Sequence, residues 1–171
     1  IVHTSIPEVV EEVWKANQQG YNITVETCPH YLTLSIDDIN KLGPFGICAP
    51  PIRTKQNVEG MWNMIQNKKI NLIGSDHATY TFKEKESPTS IWDIPLGLTS
   101  IQTMLPLIFS EGVVKRGMPL ELFAALTSSN AAKVFGIYPN KGYIGIGSDA
   151  DFCFIDPKGK WKIKNEDLFY K

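Results

Sequence analysis

The sequence lacks the features that mark several large classes of protein. None of its apolar runs approaches the roughly 18 residues that a membrane-spanning helix requires. Neither sign of charge is in excess, because 17 basic residues stand against 18 acidic ones and leave a formal net charge of −1. Proteins that bind nucleic acids ordinarily carry a basic patch. We therefore expect neither a membrane nor a nucleic acid as a partner.

Cysteine is also scarce. Cys28, Cys48 and Cys153 are odd in number, lie far apart and form no Cys-x-x-Cys pair. This spacing favours neither a zinc ribbon nor a disulfide framework, so we interpret Cys28 and Cys48 as small buried apolar residues. Thiols that stay reduced indicate a cytoplasmic protein.

An initiator Met and a basic signal sequence are missing from the first residues, which are typical of a strand. We therefore expect the chain to be a fragment of a longer protein. Its 171 residues, 43% of them hydrophobic, suffice for one domain with a sizeable core.

Hydrophobic periodicity predicts alternating helices and strands in the first part of the chain. Ser5 and Glu8 have the spacing of a capping box, and Pro7 lies in the first turn of the helix that we expect to end at Gly20. The elements predicted after it are a strand over 21–27, a helix over 57–67 and a strand over 70–74. Such alternation is typical of a parallel α/β architecture.

The second part is predicted to contain a loop, three helices and a β-rich tail. A polar, irregular loop over 78–95 precedes a long helix over 98–109. The elements predicted next are helices over 120–126 and 130–135 and β runs over 143–146, 152–155 and 161–163. Because the pattern changes near Lys141, we place a boundary there, between a unit of residues 1–140 and a second unit of residues 141–171.

Each of the three histidines lies at or just after a predicted strand end. They are His3, His30 and His77, and Asp76 lies beside the last of them. In a parallel barrel the C-terminal strand ends meet on one face. Imidazole and carboxylate groups at such a face suit a divalent metal that lowers the pKa of a bound water. A capping or hydrogen-bonding role for each histidine is the alternative, and the spacing alone leaves both open.

Four short motifs follow one another along nearly the whole chain. They are Val25-Glu-Thr-Cys-Pro-His-Tyr-Leu32, Cys48-Ala-Pro-Pro-Ile-Arg53, Gly74-Ser-Asp-His-Ala78 and Gly147-Ser-Asp-Ala-Asp151. In this order the chain resembles the C-terminal part of the cyclic amidohydrolases, which comprise the allantoinases, the hydantoinases or dihydropyrimidinases, and the dihydroorotases.

Within that family the chain is most similar to the allantoinases. The segments that carry this similarity are Cys28-Pro-His-Tyr31, Gly60-Met-Trp62 and Lys115-Arg-Gly-Met118. The segment Phe135-Gly-Ile-Tyr-Pro139 is equally typical of hydantoinases. Dihydroorotases resemble the chain least, because Thr79 and Tyr80 follow Ala78 where those enzymes continue with Pro and His.

The resemblance implies a fold, a cofactor and a reaction. The fold is α/β, the C-terminal part of a (β/α)8 TIM barrel of the metal-dependent amidohydrolase type, followed by part of a small β-sandwich. The cofactor is a binuclear centre, usually of Zn²⁺, bridged by a carboxylated Lys. The reaction is hydrolysis of a small cyclic amide, foremost allantoin to allantoate in purine and ureide catabolism, with hydantoins or dihydropyrimidines as alternatives.

The resemblance also assigns residues. His3 matches a metal ligand after the sixth barrel strand, and Asp76 matches the ligand after the eighth, where it is also the catalytic acid and base. Ala49 and Leu96 match positions that bind the cyclic amide through main-chain groups. His30 and His77 lie near the centre with no assigned role.

The other ligands of the family, a His-x-His pair, the bridging Lys and a further His, match no segment of this chain. By itself the chain is therefore expected to be inactive. The resemblance further implies a homodimer or homotetramer. A non-catalytic relative that keeps the fold for assembly is the alternative from another functional class.

Overall fold

The computed structural model of the chain describes residues 1–86 and 89–169. Its centre is a set of parallel extended segments. Strand β1 (Glu26–Thr27) pairs in parallel with strand β2 (Leu72–Ile73), Glu26 lying opposite Leu72. On the other side of β1, the Glu26 amide donates to the Ile1 carbonyl and the Thr4 amide donates to the Glu26 carbonyl, both at 2.8 Å. The order is therefore residues 1–4, then β1, then β2, as expected for consecutive strands of a parallel barrel.

Helices connect and cover these segments. Helix α1 (Pro7–Gln18) leads from residues 1–4 to β1. Helices α2 (Pro29–Thr33) and α3 (Ile36–Leu42), a 3₁₀ turn (Gly43–Gly46) and helix α4 (Lys55–Gln66) lie between β1 and β2. Each crossover thus returns the chain to the same end of the sheet.

The remaining helices follow β2. They are α5 (Phe82–Glu86), a 3₁₀ turn (Ile91–Asp93), α6 (Met104–Ile108), α7 (Leu120–Ala124), α8 (Asn130–Val134) and a last 3₁₀ turn (Asn165–Asp167). A π-helical segment, Phe109–Val114, extends α6, and another, Ala125–Ser129, joins α7 to α8. None of the helices in residues 1–86 and 89–169 has the length and apolar composition needed to cross a membrane.

The main core lies between the strands and the helices. Val10 of α1, Val25, Trp62 of α4, Ile73 of β2 and Leu126 are all buried in it. The Trp62 indole donates to the Leu32 carbonyl at 2.8 Å, which joins α4 to α2. Burial of these side chains is what fixes the strands against the helical layer.

The helix predicted from Ser5 is present, but its predicted capping box is wrong. The helix begins at Pro7, its N-cap residue is Ile6, and no side chain caps it. The Ser5 hydroxyl instead accepts a hydrogen bond from Arg53 Nε at 3.0 Å. Proline at the first helical position has no amide hydrogen, so the helix start has one fewer unpaired donor.

The strands are shorter than predicted. The predicted strand over 21–27 is a strand only at Glu26–Thr27, because the Asn17 side chain takes both the amide and the carbonyl of Ile23, at 2.9 and 2.8 Å. Likewise, only Leu72–Ile73 of the segment 70–74 forms a strand.

Two predictions after β2 need correction. The loop predicted as irregular over 78–95 contains α5 and a 3₁₀ turn, and its residues 87 and 88 lie outside the described ones. The helix predicted over 98–109 begins only at Met104, because Leu98 forms a parallel bridge with His77. The helices predicted over 57–67, 120–126 and 130–135 are present with small shifts.

The predicted β runs after Lys141 are not strands in the structure. Residues 143–163 are irregular and mostly exposed, and within the described part of the chain no segment pairs with them. A strand needs a neighbour to take its backbone hydrogen bonds. Residues 170 and 171 of the predicted tail unit lie outside the described residues.

Candidate active site at the strand ends

Three parallel segments end at one edge, where the candidate site residues lie. His3 is in the first segment, Cys28 directly follows β1 with His30 two residues later, and Asp76 lies three residues after the end of β2. Because the segments run in the same direction, their C-terminal ends meet. Residues that are distant in the sequence are therefore neighbours here.

The backbone is irregular at both predicted metal ligands. His3 has φ of 42° and Asp76 has φ of 45°, a conformation that residues other than glycine seldom adopt. At His3 the chain also has an extra residue in its ladder with β1, since Ile1 and Thr4 bond to the same residue, Glu26. Such backbone irregularities concentrate at functional sites, where they direct a side chain away from the regular pleat.

His30 and Asp76 approach each other at this edge. His30 Nε2 lies 3.8 Å from Asp76 Oδ2, and Cys28 Sγ completes a group of donor atoms that all lie within 4.8 Å of one another. Cys28 and His30 are buried, whereas Asp76 is exposed. The Cys28 and His30 donors are therefore closed off from solvent, and the group is accessible from the side of the Asp76 carboxylate.

The His30 imidazole is buried without a hydrogen bond. Its residue is 4% exposed, and neither Nδ1 nor Nε2 has a hydrogen-bond partner. Thr4 Oγ1 is the other buried side-chain oxygen or nitrogen in the described residues that lacks one. Because buried polar atoms are nearly always paired, the imidazole is available to a ligand or an ion at this position.

The site environment controls which groups carry charge. Burial lowers the pKa of His30 to about 4, the Asp76 carboxylate opposes this shift, and nearby His3 adds to it. Burial raises the pKa of the Cys28 thiol well above its ordinary value, and Asp76 raises it further. Near neutral pH, His30 is therefore a neutral imidazole and Cys28 is a protonated thiol. The imidazole can bind a metal ion as it is, whereas the thiol must first lose its proton.

The two predicted substrate-binding segments lie beside each other. The Gly97 amide, next to Leu96, donates to the carbonyl of Ile47 at 3.0 Å, close to Ala49. Both Ala49 and Leu96 are exposed. Their contact with substrate stays a prediction.

His77 faces a different set of groups. Its Nδ1 atom accepts the amides of Ser100 and Ile101, at 3.0 and 3.3 Å. The imidazole thereby joins the end of β2 to the segment before α6. These hydrogen bonds give His77 a structural role, and its proximity to the metal centre stays a prediction.

Sequence reasoning missed Cys28 as a functional candidate. The prediction that Cys28 is a small buried residue is confirmed, since it lies in an apolar cluster with Tyr31, Cys48 and Ile52. Its thiol nevertheless belongs to the donor group described above. The signal available in the sequence was the Cys28-x-His30 spacing directly after a strand.

The donor chemistry of this edge fits a divalent metal. Imidazole and carboxylate groups are ligands that zinc-like cations prefer, and His30 supplies a buried imidazole that lacks a partner. Of the ligands that the resemblance assigned, the described chain carries His3 and Asp76.

Comparison with known proteins gives a consistent result. The model described as "Amidohydrolase family" matches residues 3–170. The chain is 41% identical over 173 residues to an allantoinase of Bacillus licheniformis and 40% identical over 171 residues to one of Escherichia coli O139:H28, covering all of this chain and 37% of each relative. The solved L-hydantoinase (dihydropyrimidinase) of Arthrobacter aurescens matches with a TM-score of 0.84 and 34% identity, over 88% of this chain and 34% of that one.

The chain belongs to the amidohydrolase family, and its fold is part of the barrel of that family. This membership is shown along almost its entire length. The chain nevertheless spans only about 37% of the length of the curated relatives that it matches.

Proposed function

We propose that this chain is the C-terminal part of the barrel of a cyclic-amide hydrolase, and that the complete enzyme opens the hydantoin ring of allantoin to give allantoate. The observation that carries the proposal is the Asp76 carboxylate, which is exposed at the strand-end edge with His30 Nε2 3.8 Å from it. The allantoinase relatives, which align with the whole chain, support this choice of substrate.

Asp76 is the acid and base of the proposed reaction. Its carboxylate accepts a proton from the attacking water while the water oxygen bonds to the ring carbonyl carbon. The same proton then passes to the ring nitrogen as the C–N bond breaks. One carboxylate therefore serves both half-steps, and its exposure of 37% leaves it accessible to a small substrate.

His3 and Asp76 would hold the metal together with ligands from the rest of the enzyme. When bound, the metal polarises the amide carbonyl and lowers the pKa of water. The chain positions these two residues by the irregular backbone at each of them. We propose Zn²⁺ as the metal, which elemental analysis of the purified enzyme tests.

The main-chain groups of Ala49 and Leu96 would orient the ring amide. The hydrogen bond between Gly97 and Ile47 fixes the two segments side by side, so that both present backbone groups to one substrate. Main-chain recognition does not depend on which side chain stands at either position.

Further proposals concern the whole protein. We infer that residues 141–171 contribute to a β-sandwich, since they expose apolar side chains such as Ile146 and Phe154, which a neighbouring sheet would cover. We propose that the complete enzyme is a homodimer or homotetramer, which light scattering tests.

We also propose that the enzyme acts in purine catabolism in the cytoplasm and binds neither membrane nor nucleic acid. The three free cysteines support a reducing location.

The second candidate is hydrolysis of hydantoins or dihydropyrimidines. It is favoured by the L-hydantoinase structure, which matches this chain at a TM-score of 0.84. The test is turnover of allantoin, hydantoin and dihydrouracil by the full-length enzyme, with its metal content measured in parallel. A preference for allantoin supports the first proposal, a preference for either other ring supports the second, and no turnover by metal-loaded enzyme refutes both.

A further inference from the structure

Three potential metal donors of this chain form a group that the proposed reaction does not require in full. Cys28 Sγ, a His30 ring nitrogen and an Asp76 oxygen lie within 4.8 Å of one another. The reaction uses Asp76 and assigns nothing to the other two. His30 is buried with both nitrogens lacking a hydrogen bond, which independently indicates a ligand there.

Three other polar side chains near this position, those of Cys48, Tyr31 and His77, already have hydrogen-bond partners. The Cys48 thiol donates to the Pro50 carbonyl at 3.2 Å, and the Tyr31 hydroxyl donates to the same carbonyl at 2.6 Å. His77 Nδ1 accepts two backbone amides. The donor atoms that lie close enough together to share an ion are those of Cys28, His30 and Asp76.

We propose that Cys28, His30 and Asp76 bind one thiophilic divalent cation, of the zinc and cadmium class, at a site that has Asp76 in common with the metal pair of the family but does not use His3. A thiolate, an imidazole and a carboxylate are a donor set typical of zinc. The site shares Asp76 with the proposed function, but all of its protein ligands lie in this chain and His3 is not among them.

The geometry permits this site once donor atoms that now lie within 4.8 Å of one another move closer together. Zinc lies about 2.3 Å from sulfur and about 2.0–2.1 Å from nitrogen, so that donors around one tetrahedral ion are roughly 3.5 Å apart. His30 and Asp76 are already separated by 3.8 Å. Asp76 is exposed and moves more readily than the two buried donors, and the open side leaves a fourth position for water.

Binding exchanges one proton for the cation. The Cys28 thiol loses its proton to solvent as the metal–sulfur bond forms, since a coordinating thiol is deprotonated. His30 binds as the neutral imidazole that burial already favours. The Asp76 carboxylate then balances part of the charge of the ion.

The test uses Co²⁺ as a spectroscopic probe of the 171-residue chain, kept reduced with a phosphine. We expect one Co²⁺ per chain, with a sulfur-to-metal charge-transfer band that Zn²⁺ or Cd²⁺ abolishes by displacement. Cys28→Ser and Cys28→Ala should remove the band. His30→Ala and Asp76→Asn should weaken Co²⁺ binding at least about tenfold, because even residues that merely support a ligand contribute roughly 10- to 100-fold.

Cys48→Ser is the matched control, since Cys48 is buried in the same apolar cluster but its thiol donates to Pro50. Circular dichroism verifies the fold of every variant. Absence of the band in the folded wild-type chain, its persistence in a folded Cys28 variant, or its loss in folded Cys48→Ser overturns the proposal. His3→Ala should leave the band intact, and loss of the band in that variant would overturn the claim that the site does not use His3. Turnover of allantoin by the full-length enzyme tests the proposed function independently of the Co²⁺ band.

Discussion

His3 and Asp76 lie in different parallel segments, yet they share a backbone conformation that is rare outside glycine. Their φ angles are 42° and 45°, and each residue lies where a segment of the sheet ends. A regular extended residue alternates its side chain across the sheet. Leaving that conformation at both positions lets the chain direct a side chain out of the regular pleat at each, as the proposed metal-binding role of His3 and Asp76 requires.

The first prediction concerns Asp76. Asp76→Asn in the full-length enzyme should lower kcat for allantoin by on the order of 10²- to 10⁴-fold, because an amide cannot accept and return the proton. The fold should be retained, since the side chain is exposed. Steady-state kinetics and circular dichroism measure the two quantities. Asp37→Asn, an exposed change in the first turn of α3, is the control; near-normal activity of Asp76→Asn would contradict the assigned role.

The second prediction concerns His3. His3→Ala should lower the metal content per subunit of the full-length enzyme, since it removes an imidazole ligand. Elemental analysis after dialysis measures the stoichiometry. His77→Asn is a suitable control, because its amide oxygen can accept the Ser100 and Ile101 amides in place of Nδ1. Equal metal content in His3→Ala and the wild type would show that His3 is not a ligand.

The sequence predicted the parallel strands and the edge at which the site lies, because strand ends and helix periodicity are local properties. It could not predict that His30 Nε2 lies 3.8 Å from Asp76, since that distance depends on the pairing of β1 with β2. The capping box at Ser5 failed for a similar reason. Its hydroxyl accepts a hydrogen bond from Arg53, a partner 48 positions away that no local pattern indicates.

The β runs after Lys141 show another limit of local patterns. Alternating apolar residues over 143–146 and 152–155 have the strand period, yet they form no strand in the described part of the chain. Strand formation requires a pairing partner, whereas a helix satisfies its own backbone. The helix predictions accordingly agreed with the structure better than the strand predictions did.

A third prediction tests the core. Trp62→Phe should lower the free energy of unfolding by about 1–3 kcal/mol, because the buried Leu32 carbonyl loses the indole N–H that it accepts. Contact of the ring with the Arg116 guanidinium, 4.8 Å from its centroid, is weakened as well. Urea unfolding of the chain measures the change. For Trp92→Phe, at a side chain that is 92% exposed, we expect a change within about 0.5 kcal/mol; equal effects of the two variants would refute the argument.

The last prediction concerns Lys85, a buried lysine on α5. Its ammonium donates to the carbonyls of Ile47 and Pro44, at 3.1 and 3.4 Å, and burial lowers its pKa below the usual 10.5. Between the lowered pKa and 10.5 the unfolded chain binds more protons than the folded chain does, so the free energy of unfolding should rise with pH across that window.

The measurement for Lys85 is the urea midpoint of the wild type and of Lys85→Met between pH 7 and 10.5. The wild type should gain stability relative to Lys85→Met as the pH rises, because neutralising the folded Lys85 removes the desolvation cost of a buried ammonium. Lys83→Met, at an exposed position on the same helix, provides the control, and its difference from the wild type should stay constant. A constant difference for Lys85→Met as well would mean that the ammonium has its ordinary pKa in the folded chain. The two carbonyls would then offset its burial completely.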